Sequence, residues 1–148
     1  MNLKQRKRLI LLAEEIATNA HRGQFRYDGK TPFIEHPKQV AKIFIDGGMG
    51  IVTYREIVVS WLHDVLEDTT IKAKDLLSRG IPYELVNTVE VLTRLDNESY
   101  LGYLLRVRKD WLARRVKLAD LEHNISTSPG KHQRDKYYLA RFLLSVVK

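Results

Sequence analysis

The chain has 148 residues, 44% hydrophobic and 29% charged, a balance that excludes a disordered chain and fits one globular domain, 1–148, with a buried core. It contains no cysteine, which excludes disulfides, thiolate zinc sites and a cysteine nucleophile and fits a reducing, cytoplasmic setting. Lys and Arg number 25 against 18 Asp and Glu, and the formal charge of +7 suits an anionic partner (nucleotide, nucleic acid or phosphate) or plain solubility.

The start, MNLKQRKRLILLAEEI, is basic, and its apolar run stops at Glu14 and Glu15, too short for a signal peptide. No stretch approaches a transmembrane length, so no membrane association is expected. Residues 3–21 carry apolar side chains at Leu9, Leu12, Ala13, Ile16, Ala17 and Ala20, a helical stripe. A loop rich in Gly, Asp and Pro follows, RGQFRYDGKTPFIEHP. Pro37 suits the first turn of a helix to about Asp46, and Gly47-Gly48-Met49-Gly50 is a break.

Residues 53–67 read as a mostly buried helix, the next spans about 72–79 and ends at Gly80, and Pro82 opens another to about Leu95. Periodic segments follow over 98–108 and 110–125. Ser128-Pro129-Gly130 is a turn, and 132–147 is a final amphipathic helix. No alternating strand, repeat or linker stands out. The pattern predicts an all-α, compact single-domain helical bundle of seven or eight helices.

WLHDVLEDTT, residues 61–70, concentrates His63, Asp64, Glu67 and Asp68 with no basic residue among them. On a continuous helix over 58–68 these four share an arc of about 140° at about 100° per residue. Val58, Val59, Leu62, Val65 and Leu66 fill the other side. A solvated face explains this pattern. Yet Asp64–Asp68 and Asp64–Glu67 are like-charge pairs at helical spacing, each costing about 0.2–0.5 kcal/mol, and the acids lie toward the unfavourable helix C-terminus. A divalent cation would turn that repulsion into binding, with His63 adding a nitrogen donor.

Two further polar residues sit beside apolar runs. His36 precedes Pro37 in FIEHPKQVAKI, and Asp120 lies inside VKLADLEHN. A helix-capping role for His36, and pairing of Asp120 with Lys117 or Arg115, are the structural explanations.

These motifs carry a resemblance. AHRGQFRYDGKTPFIEHP (20–37), WLHDVLEDT (61–69), LTR (92–94) and VKLADLEHN (116–124) occur in the order found in HD-domain metal phosphohydrolases. More narrowly, the chain resembles small stand-alone relatives of the hydrolase half of the RelA/SpoT enzymes, which degrade the alarmone (p)ppGpp. The resemblance implies an HD-type bundle and one metal ion, usually manganese, held by His36, His63, Asp64 and Asp120. Two imidazoles and two carboxylates make a mixed N/O set that geometry also allows for magnesium, iron or zinc. Such an ion polarises a phosphoryl group and lowers the pKa of its bound water.

By the same resemblance Glu67 and Asp68 are the acidic pair that handles the attacking water and the leaving-group proton. Arg26 packs on the guanine ring, Gln24 supports its loop, and Asn124 lies near ribose and phosphate. Arg134 and Tyr138 are wall residues, with Tyr137 as the alternative. Lys30, Lys117 and Lys131 read as solvated surface that adds positive potential, and His21, His123 and His132 as capping, supporting or surface residues.

The chain departs from the long enzymes where A-D-R-L-H-N becomes A-D-L-E-H-N: Leu121 replaces an arginine and Glu122 a leucine. That change bears on the base pocket more than on the metal ligands. The implied substrate is a small-molecule nucleotide, and the implied reaction removes the 3′-diphosphate of (p)ppGpp. The alternatives are another nucleotide or phosphoester and, in a different class, a basic module binding nucleic acid or protein. Basic runs such as KQRKR and RVRKDWLARR support the last, which is the less favoured reading.

Overall fold

The apolar stripe over 3–21 folds as α1, Leu3–Ala20, in the computed structural model, which describes residues 1–128 and 130–146. Pro129 of the expected turn and Val147 at the expected end of the last helix lie outside the described residues. Asn2 and Gln5 form a reciprocal cap at the start of α1, and Leu9, Ala13, Ile16 and Ala17 are buried. The loop at 21–34 folds back on itself. Arg26 N donates to Thr31 O and Phe33 N to Gln24 O, while the Asp28 carboxylate accepts from the Lys30 and Thr31 amides across Gly29 at φ +68°. Three such hydrogen bonds, the Thr31 hydroxyl first, hold the Asp28 carboxyl down at about 2.

Helix α2, Glu35–Ile45, carries Pro37 in its first turn, as the sequence predicts. Helix α3, Tyr54–Leu62, starts at a Thr53–Glu56 capping box and is buried over most of its length. Helices α4 (Val65–Asp68), α5 (Ala73–Ser78), α6 (Tyr83–Leu92), α7 (Tyr100–Lys109), α8 (Trp111–Thr127) and α9 (Lys131–Ser145) complete the order. Among the described residues there are nine helices and no strand, only an isolated bridge between Phe25 and Pro32. The all-α expectation holds.

The number differs from seven or eight because the helix expected over 53–67 is interrupted at His63 and Asp64. The His63 ring donates from Nδ1 to the Ser60 carbonyl at 2.6 Å, competing for the acceptor that a continuing helix assigns to the Asp64 amide. Asp64 adopts φ −101° and ψ −4°, and α4 restarts from it. The continuous 58–68 arc is therefore not realised.

Helix α3 is the centre of the assembly, packing against α1, α2, α6 and α8. Helix α8 touches α2, α3, α6, α7 and α9. Their buried side chains, among them Phe44, Val58, Leu62, Val89, Val116 and Leu121, form one cluster. Glu56 is fully buried and paired with Arg115, whose guanidinium also donates to Met49 O and Ile51 O and so closes the glycine-rich break onto α8. Of the two partners considered for Asp120, Arg115 is thus engaged elsewhere.

Candidate metal centre

Three segments meet at one point: the start of α2 brings His36, the α3–α4 junction brings His63 and Asp64, and the middle of α8 brings Asp120. His36 Nε2 lies 2.8 Å from Asp120 Oδ1, 3.2 Å from His63 Nε2 and 3.5 Å from Asp64 Oδ2. His63 Nε2 lies 3.1 Å from Asp64 Oδ2 and 3.5 Å from Asp120 Oδ1. His36, His63 and Asp120 are buried, and the Asp64 side chain keeps 19% exposure. His63 is no wet surface residue.

The donor chemistry fits a cation. Because the Ser60 carbonyl can only accept, His63 Nδ1 carries a hydrogen, and Nε2 is the nitrogen turned to the cluster. His36 Nδ1 meets His123 Nδ1 at 2.7 Å, so one of those two nitrogens donates to the other. With the hydrogen on His36 Nδ1, its Nε2 also faces the cluster as a lone pair. Burial lowers the pKa of His123 to about 4, which keeps that ring neutral and able to accept. Two nitrogens and two carboxylate oxygens at these separations are the set a divalent ion takes.

Without a cation, protons must do its work. Burial works against charge on His63, but the Asp64 and Asp120 carboxylates outweigh it and hold the ring's pKa well above the ordinary value. Burial outweighs the carboxylates at His36, whose pKa is lowered. Asp64 resists its own burial through the His63 charge and stays at about 2. Asp120, also buried, is held well below the carboxylate range, first by Lys117 and then by its hydrogen bonds to His36 and His63.

Lys117 corrects the surface reading. Its side chain is only 15% exposed, and Nζ stands 2.7 Å from Asp120 Oδ2, leaving Oδ1 to the histidines and to Asn124 Nδ2 at 3.0 Å. Lys30 and Lys131 are exposed as expected. The pairing of Asp120 with Lys117, one of the two partners considered from the sequence, is present, and His123 takes the supporting place among the three roles read for it.

Glu67 and Asp68 lie exposed beside Asp64, close enough for all three carboxylates to share an ion. Glu67 Oε1 accepts from the Arg94 amide at 2.9 Å, which ties α4 to the LTR motif. Partial burial of its carboxyl, then the charges of Asp64 and Glu67, push Asp68 up to about 7. Gln24 donates from Nε2 to Asp68 O at 2.8 Å and accepts from His21 Nδ1 at 2.8 Å, so it braces the site from the folded loop.

Arg26 donates to Asn124 Oδ1 at 3.1 Å and to Thr127 Oγ1 at 2.8 Å, with its guanidinium 4.9 Å from the Tyr27 ring centre. Thr127 and Tyr27 were not singled out from the sequence. On α9 the hydroxyl of buried Tyr137 is 2.9 Å from that of Tyr27. Tyr138 is 45% exposed with its ring under Arg141, and Arg134 is exposed. Tyr137, the alternative, thus reaches the folded loop through Tyr27, whereas Arg134 and Tyr138 are exposed on α9. His132 is exposed. Leu121 is buried in the core and Glu122 pairs with Arg141 at 3.1 Å, so the two departures from the long enzymes point away from the cluster.

A hollow of about 710 Å³ between α1 and the Gly80–Pro82 turn contains none of these residues. A smaller one, about 140 Å³, is bounded by Arg26, Tyr27, His36, His123 and Thr127. Among the described residues no helix is long and apolar enough to cross a membrane.

No protein-family model matches the chain. Curated proteins similar to the chain include two from bacteria. The guanosine-3′,5′-bis(diphosphate) 3′-pyrophosphohydrolase of Haemophilus influenzae is 30% identical over 134 residues, 80% of this chain and 19% of that protein. The bifunctional (p)ppGpp synthase/hydrolase SpoT of Escherichia coli K12 is 30% identical over 142 residues, 88% of this chain and 20% of that protein. The chain thus spans about a fifth of the length of these relatives. Among solved structures, a metazoan orthologue of SpoT described as hydrolysing ppGpp superposes with a TM-score of 0.74, at 21% identity, over 92% of this chain and 83% of that one. The chain is a homologue of the (p)ppGpp 3′-pyrophosphohydrolase and SpoT proteins along 80–88% of its length, with the all-α HD-type fold of their metazoan orthologue.

Proposed function

We propose that this chain is a metal-dependent nucleotide phosphohydrolase acting as a (p)ppGpp 3′-pyrophosphohydrolase. The observation that carries this reading is the approach of two histidine Nε2 atoms to 3.2 Å between two carboxylates, with Ser60 fixing the His63 tautomer. His36, His63, Asp64 and Asp120 would hold one divalent ion, with manganese the choice implied by resemblance. When bound, that ion supplies Lewis acidity toward a phosphoryl group and its water.

The chain's own residues do the rest. Lys117 neutralises the outer oxygen of Asp120, and His123 fixes the His36 ring. Glu67 and Asp68 take the proton of the attacking water and return one to the leaving 3′ oxygen. The new bond joins water oxygen to the phosphorus on the 3′ oxygen. The bond to that oxygen breaks, and GDP or GTP leaves with pyrophosphate. Arg26 offers a planar cation beside Tyr27 for a base, and Tyr137, more than Tyr138, supports that wall. Asn124 links the two halves, accepting from Arg26 and donating to Asp120.

The module reading loses ground because three basic residues of its RVRKDWLARR run are engaged within the chain, which leaves the exposed KQRKR run as its support. Arg106 serves Glu98, Arg108 donates to Val146 O, and Arg115 serves Glu56. The test is manganese-dependent turnover of ppGpp against a panel of other nucleotides, with wild type and Asp64→Ala. Turnover by the wild type alone supports the proposal. Equal activity in both proteins, or none on any nucleotide together with steeply salt-dependent nucleic-acid binding, refutes it.

A further inference from the structure

His21 closes α1, and its ring is 2% exposed. Hydrogen-bond chemistry assigns both of its nitrogens. The Asp68 carbonyl can only accept, so the Gln24 atom 2.8 Å away is the amide nitrogen. The amide oxygen of Gln24 then faces His21 Nδ1 at 2.8 Å, and since that oxygen also only accepts, Nδ1 carries the hydrogen. Burial keeps the ring neutral.

Nε2 is left as a bare acceptor, buried and without a partner among the described residues. Such an atom is costly unless a donor reaches it. Asp64, His63 and His36 are the titratable groups of the centre that act on this ring, and Phe33 packs beside both, its ring centre 4.7 Å from His21 and 5.9 Å from His36. Phosphate oxygens without protons cannot satisfy it, because they too only accept. The missing group is a donor, and with none supplied by the described residues the simplest is the O–H of a water.

Building on the hydrolase reading, we propose that His21 Nε2 accepts a hydrogen bond from a water at the His36–His63–Asp64–Asp120 centre, making His21 a positioning residue that orients this water. Gln24 sets the tautomer that makes it possible, and the same amide grips the backbone of Asp68. Water, acceptor and acidic pair are thereby held to one frame.

Nitrogen-15 NMR of the histidine side chains reads this without any turnover. The expected result is an Nδ1–H tautomer of His21 with bare Nε2, and a modest Nε2 shift on adding zinc, a diamagnetic probe. An Nε2–H tautomer, no response to zinc, or a shift of the size direct coordination gives would each overturn the proposal.

Two substitutions separate the nitrogens. His21→Asn keeps a donor toward Gln24 where Nδ1 stood and loses the acceptor. His21→Gln places an oxygen where Nε2 stood and loses that donor. With manganese and ppGpp, H21N is expected to lose roughly 10–100-fold in kcat at unchanged KM, with H21Q nearer the wild type. The reverse order would mean that His21 acts only by bracing Gln24, and the proposal falls. Should the wild type hydrolyse nothing, the hydrolase reading fails while the tautomer and the zinc response still decide His21.

Discussion

The Asp120 carboxylate is divided between two tasks: one oxygen faces His36, and the other faces Lys117 at 2.7 Å. Lys117 balances a buried anion, so removing its charge while keeping its length is informative. Lys117→Met leaves Asp120 uncompensated in the metal-free protein, at a cost of roughly 3 kcal/mol, or about 6–12 °C in Tm for a chain of this size. A cation at the centre replaces the lost charge. The rise in Tm between EDTA and manganese chloride is therefore expected to be larger in Lys117→Met than in the wild type. An equal or smaller rise would place Lys117 outside the electrostatics of the centre. Glu67 gives a contrasting case, because its oxygen accepts from the Arg94 amide and a glutamine can still do so. Glu67→Gln is expected to keep the manganese-induced Tm rise and lose most turnover; loss of that rise would make Glu67 a ligand. The four donors were legible because His36, the His63–Asp64 pair and Asp120 sit in motifs whose order could be checked. Lys117 was legible only as one of two partners for Asp120, and which of His21, His123 and His132 supports the centre was not legible. What a lysine or a histidine does depends on burial and on which ring nitrogen holds the hydrogen, and tertiary packing sets both.

Helix periodicity placed most elements within a few residues, since α1, α2, α8 and α9 each bury a stripe the sequence displays. The break between α3 and α4 escaped it for a physical reason: Val58, Val59, Leu62, Val65 and Leu66 keep the apolar spacing through a point where a ring nitrogen, not a hydrophobic contact, disturbs the backbone. The join of α6 to α7 was equally hidden. Arg106 on α7 donates to Val91 O and Thr93 O at the end of α6 and makes two bonds to Glu98. It serves as a side-chain cap for α6 supplied by the following helix. Arg106→Ala is expected to cost about 2–3 kcal/mol by denaturant unfolding, because two carbonyls and a carboxylate lose a charged donor together. A cost within experimental error would show that solvent replaces the cap. Arg106 lowers the Glu98 carboxyl to about 2 from an ordinary 4.5. A depressed carboxylate adds stability that is fully present above the unfolded value and lost as pH falls through the folded one. Acid titration of stability should therefore show a loss between about pH 4.5 and pH 2 that Glu98→Gln removes. A wild-type and variant acid limb of the same slope would contradict this.

At the scale of the whole molecule, the centre ties the start of α2, the α3–α4 junction and the middle of α8. These segments are far apart in the chain and belong to the packed heart of the bundle, where α3 meets α2 and α8. A cation bound there holds them together only in the folded state, since the unfolded chain has no such site. Stability must then rise with cation concentration, by about 2.7 kcal/mol at a hundredfold excess over the dissociation constant. That corresponds to roughly 5–10 °C in Tm. Manganese is expected to produce this shift in the wild type and chelation to reverse it. Asp64→Ala, which removes one of the proposed ligands without opening the core, should show little of it. His36→Ala should lose both the shift and some baseline stability, because that ring is buried against Asp120 and His123. Comparing magnesium, manganese and zinc in the same experiment ranks the ions by the donor set itself: imidazole nitrogens favour manganese and zinc over magnesium. A wild-type Tm indifferent to all three, with Asp64→Ala behaving identically, would show that this histidine–aspartate cluster is held by protons alone.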